Sequence, residues 1–132
     1  MKILKLLLAV FVVTLLFSQC RYSFIVPEEV VVIDPEDPNA PQVSFANDII
    51  PIFNDGNYCT SCHIAGKTMP DLTPDKAYAS LNSNRYLNSD TPEDSKIYTY
   101  PNPSTTTHMQ KKYTSSQAAK VLLWIQQGAK NN

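Results

Sequence analysis

An all-α domain of short helices and long loops is predicted for residues 44–132, and three observations predict it. Several segments carry helix-start chemistry, and no stretch alternates apolar with polar residues as a half-buried strand does. Ten prolines against three glycines cut the chain into short pieces. Ser44 is placed to cap a helix carrying Phe45, Ile49 and Ile50, which Pro51 must bend or end before Phe53, because proline has no N–H to donate. Thr73-Pro74-Asp75 offers N-cap, N1 proline and first-turn acid for a helix through Ala77, Tyr78 and Leu81 that Asn82 can close. Thr91-Pro92-Glu93-Asp94 repeats the arrangement and starts a short turn toward Ile97 and Tyr98, after which Pro101 and Pro103 force an irregular stretch. In the last helix Thr114 and Gln117 form a capping box, Ala118, Val121, Leu122 and Ile125 recur at helical spacing, and Gly128 is the terminator.

Ahead of this domain, Lys2 and Lys5 precede or open an apolar run, Leu6 to Phe17, that is far shorter than the roughly 20 residues of a bilayer-spanning helix. A positive start before a short apolar core is the pattern of an export signal, here residues 1–19. Cys20 follows directly, and Phe17-Ser18-Gln19-Cys20 resembles the lipobox of bacterial lipoproteins, with Phe17 and Gln19 replacing the usual aliphatic and small residues. The resemblance implies acylation of Cys20, with more than the single chain that gives only marginal membrane binding. It also implies a lipid-anchored location, in the periplasm or at the outer membrane of a Gram-negative bacterium. Residues 20–43 hold Pro27, Pro35, Pro38 and Pro41 among five acids and one base, Arg21, as a self-repelling tether would. The domain is nearly neutral, with eight bases and seven acids, so no basic field exists to recruit nucleic acid.

Eighty-nine residues make a marginal core unless a cofactor or cross-link completes it. Cys59-Thr60-Ser61-Cys62-His63 supplies a reason to expect one, since C-x-x-C-H is the attachment signature of c-type haem. Two thiols three positions apart can each add to a vinyl group of one porphyrin edge, while the adjacent histidine binds iron. Export agrees with this, because bacterial maturation of such haems takes place outside the cytoplasmic membrane. A thioredoxin-like pair wants a βαβ setting that is missing here. A zinc site wants four ligands, and beyond Cys59, Cys62 and His63 only His108 is a good candidate.

For the second axial position of the iron, His108 and Met109 are adjacent candidates, with Met109 favoured for its place five residues ahead of the Thr114 cap and His108 the alternative. Met69 is a weaker choice, because six residues after His63 span at most ~20 Å and would have to wrap the porphyrin edge.

From Val43 onward the chain resembles the small monohaem c-type cytochrome domains of bacterial exported proteins. The resemblance rests on Asn47-Asp48-Ile49-Ile50-Pro51-Ile52-Phe53 ahead of the C-x-x-C-H run, Pro70-Asp71-Leu72-Thr73 with Ala77-Tyr78, and Trp124-Ile125-Gln126-Gln127-Gly128-Ala129. It implies a cytochrome c-like fold, with one haem c held by Cys59 and Cys62 and with His63 and Met109 on the iron. In that picture Phe45, Ile49 and Ile52 meet Leu122, Trp124 or Ile125. Leu72, Tyr78, Leu81, Tyr86, Tyr98 and Tyr100 wall the pocket, and the tyrosines and Arg85 are available to propionates. Neither a nucleophile triad, paired carboxylates nor a phosphate loop stands out. The expected function is therefore electron transfer between exported redox partners, not enzymatic turnover. The alternatives are a gas- or peroxide-binding haem with a labile sixth ligand, and a haem-stapled binding module.

Overall fold

A computed structural model describes Ile3, Asp34, Asp37 and residues 39–54, 59–108, 110 and 112–132. The apolar run of the export signal, Cys20, most of the tether, Met109 and Lys111 lie outside the described residues. Among the described residues the fold is all-helical, without strands, and no helix is long and apolar enough to cross a membrane. The order is a π turn (Phe45–Ile49) leading into α1 (Ile50–Asn54), α2 (Ala77–Leu81), a 3-10 turn (Pro92–Asp94), α3 (Lys96–Thr99) and α4 (Ser115–Gln126).

Ser44 caps the first segment as its sequence position requires. Its Oγ accepts from Asn47 N–H, and Asp48 Oδ2 accepts from Ser44 N–H at 2.9 Å, so two end groups are satisfied reciprocally. Pro51 neither ends the helix before Phe53 nor acts where it stands. The helix reaches Asn54, and the adjustment comes one turn earlier, where Ile50 N–H donates to Phe45 O in a widened i→i+5 turn. Such a bulge adds room between successive turns, and room is what a proline ring needs against the carbonyl four residues back.

The second start signal is diverted. Ala77 N–H does bond Thr73 O, but Thr73 Oγ1 donates to Asp71 Oδ1 at 2.7 Å instead of capping the helix, and regular α-helix begins only at Ala77. Asn82 closes it by donating its N–H to Tyr78 O. Thr91 and Pro92 open a 3-10 turn as expected, and α3 carries buried Ile97. The capping box of Thr114 and Gln117 is complete on α4, and Gly128 follows it at φ 91°, the left-handed conformation that lets a helix stop.

The core forms where the first segment packs on α4. Phe45 and Trp124 meet at 5.1 Å between ring centroids, and Tyr78 meets Phe45 edge-on at 5.3 Å. Such pairs add about 0.5–1.5 kcal/mol beyond the burial of their area. Ile49, Phe53, Leu81 and Val121 complete this layer and are fully buried. Leu122, expected on this face, is only half-buried, while Leu123 is buried.

The chain end reinforces the layer. Gln127 accepts from Val43 N–H and donates to Pro41 O, while Asn132 accepts from Phe45 N–H and donates weakly to Val43 O. Residues 41–43, the last of the expected tether, are thus docked on the domain, and Val43 is buried.

Candidate functional site

Cys59, Cys62 and His63 sit on a single helical turn. Cys62 N–H and His63 N–H both donate to Cys59 O, at 3.2 and 2.8 Å, so the three side chains project from one tight bend. Gly66, at φ 79°, turns the chain back, and Thr68 N–H bonds Cys62 O. Lys67 Nζ donates to Ser61 O at 3.2 Å and closes the outer side of the bend.

His63 is held twice by the segment that follows. Leu72 N–H donates to its carbonyl at 2.9 Å, and its Nδ1 lies 3.1 Å from Pro70 O. A carbonyl oxygen can only accept, so Nδ1 is the donor, which in the neutral ring puts the lone pair on Nε2. An imidazole oriented through its other nitrogen in this way is the usual arrangement of a metal-ligating histidine. The clamp is itself braced, because Asp71 N–H donates to Ser80 Oγ while its carboxylate accepts from Thr73 N–H and Oγ1. The Thr73 hydroxyl, then the Thr73 N–H, hold the Asp71 carboxyl below its ordinary range.

The turn opens onto a cavity of about 400 Å³, inside the range of cofactor pockets. Cys59, Cys62 and His63 line it together with Leu72, Ile97, Tyr86, Tyr100, Tyr113 and His108. Tyr113 is buried and donates its hydroxyl to Ile97 O at 3.0 Å; burial, and secondarily the nearby Cys59, push its phenol well above the ordinary tyrosine value. Arg85 and Lys96 also line the cavity, with the Arg85 guanidinium 5.4 Å over the Tyr86 ring.

The His108 ring lies 6.1 Å from that of His63, the two planes 22° apart. Its Nδ1 is buried without a hydrogen-bond partner among the described residues. Burial first, then the charges of His63 and Lys112, hold its pKa below the ordinary histidine value, so its neutral form is favoured.

Of the residues expected in the wall, Leu72, Tyr86 and Tyr100 line the cavity, whereas Tyr78, Leu81 and Tyr98 do not. Tyr78 instead packs on Phe45. Met69 lines the cavity but is 56% exposed, at its rim. Tyr113, Ile97 and Lys96 were not anticipated. For Tyr113 a signal existed, since it directly precedes the Thr114 cap and is buried together with Ala118, as the two ends of a hydrophobic staple are. Lys120 is paired with Asp48 at 3.3 Å.

Among the described residues no three His, Cys, Asp or Glu side chains converge as metal ligands would. No family model matches the chain, and neither a curated protein nor a solved structure matches it.

Proposed function

We propose that the protein is a monohaem c-type cytochrome with a cytochrome c-like fold, anchored to a membrane through acylated Cys20. On this reading it carries single electrons between exported redox partners. One observation carries it: the C-x-x-C-H residues share one turn at a cavity, with His63 Nδ1 committed to Pro70 O.

The residues present suit haem. Two thiols on one bend match two vinyl groups of one porphyrin edge, the oriented imidazole matches an axial position, and the apolar walls match the macrocycle. Arg85 and Lys96 are placed to receive carboxylates. Bound there, haem iron supplies a one-electron couple. The chain's own part is to fix the cofactor through Cys59 and Cys62, to orient His63 through Pro70, and to keep water from the inner wall with Leu72, Ile97 and Tyr113. Buried Tyr113 stays protonated and binds the Ile97 carbonyl, so it contributes no charge to the cavity.

The test is an alkaline pyridine spectrum and an intact mass of full-length protein made in a host competent for cytochrome c maturation. One haem attached through two thioethers, cycling reversibly between ferric and ferrous forms, is expected. A colourless, folded protein overturns the proposal, as does iron that does not cycle.

A further inference from the structure

We propose that His108 is the second axial ligand of the haem iron, opposite His63, and that Met109 is not. The inference rests on the haem-binding reading above and deepens it. Metal–imidazole bonds run about 2.0–2.1 Å, and the centre of an imidazole ring is about 1 Å from its nitrogens. Two imidazoles on opposite sides of one iron therefore have centroids about 6 Å apart. The observed separation of His63 and His108 is 6.1 Å, with the two planes 22° apart.

The surroundings point the same way. Both rings line one cavity, and His108 reaches it with a buried Nδ1 that has no hydrogen-bond partner among the described residues. Burying an unpaired polar atom costs about 1–3 kcal/mol, a cost that a ligand in the cavity would offset. Two histidines alone do not make a protein metal site, and among the described residues no third ligand joins them. Two are enough where a porphyrin supplies the other four nitrogens. With imidazole in place of a thioether, the couple lies at lower potential than a His/Met cytochrome, since methionine ligation raises it. The carrier would then suit donors and acceptors at the reducing end of an exported chain.

The test compares full-length holoproteins of wild type, His108→Ala, His108→Met and Met109→Ala by ferric electron paramagnetic resonance, the near-infrared charge-transfer band and the midpoint potential. Wild type and Met109→Ala are expected to share a low-spin, bis-imidazole signature and the same potential. His108→Ala is expected to lose the low-spin signal, to bind carbon monoxide rapidly when ferrous, and to regain the low-spin signal on addition of free imidazole. His108→Met is expected to shift the potential upward. If His108→Ala fails to mature, the wild-type charge-transfer band and Met109→Ala still decide the matter. A His/Met band in wild type, or loss of the low-spin signal in Met109→Ala alone, overturns the inference while leaving the cytochrome reading standing. Wild type without thioether-bound haem overturns the reading itself.

Discussion

The two sides of this small domain are held together by different means. Where the first segment packs on α4, large side chains fill the interior: Trp124, Phe53, Ile49 and Val121 are fully buried, and side chains of Gln127 and Asn132 tie the entering strand of chain down. Around the cavity, the described residues between 59 and 113 form turns and two short helices stitched by local polar bonds, among them His63 to Pro70, Asp71 to Thr73, Asn88 to Ser95 and Tyr113 to Ile97. One side is a core in the ordinary sense. The other is a frame, whose inner face is completed by whatever the cavity receives.

The largest expected effect is on the packed side. Trp124→Ala removes the ring from its contact with Phe45 and its Nε1–H bond to Lys130 O, and should cost about 3–5 kcal/mol, read by denaturant unfolding. On the framed side, Cys59→Ser with Cys62→Ser removes both thiols through which the proposed haem would attach. Hydrogen exchange at the amides of Leu72 and Ile97 should then accelerate roughly tenfold or more before those of α4 respond. Equal acceleration on both sides would show that the division is false. Tyr113→Phe leaves the Ile97 carbonyl buried without its partner and should cost about 1–3 kcal/mol, read by denaturant unfolding.

The smallest effect is a pH-dependent one at Asp71. Its folded pKa lies below the ordinary 3.8, so its ionised form is bound more tightly in the native state. That stabilisation is complete above the unfolded value and falls away as pH drops below it toward the folded value. Wild type should therefore exceed Asp71→Asn in Tm at neutral pH, and the gap should close only below about pH 4.

Local chemistry was legible in the sequence where one residue decides the outcome. Ser44, the Thr114–Gln117 box and Gly128 do what their positions require, because each satisfies or ends a helix terminus with its own atoms. Competition between neighbours was harder to read. Thr73 has the identity of a cap, yet an acid two residues earlier captures its hydroxyl, and nothing in the Thr-Pro-Asp order reveals which bond wins. Pro51 told that the ladder must adjust but not that a π turn upstream would absorb the change.

In the site, the C-x-x-C-H turn was readable from spacing. Which aromatics face the cavity was not, since Tyr78 and Tyr86 are alike in kind and part only through tertiary packing. The proximity of His63 and His108 is of the same sort, a relation across 45 positions that periodicity does not encode.

The docking of residues 41–43 onto Gln127 and Asn132 has a mechanical consequence. If the chain is anchored as proposed, tension arriving along it would load the junction with α4 in shear before reaching the turns that line the cavity. On that reading the domain could be tugged and reoriented without any change in the spacing of the groups around its cavity.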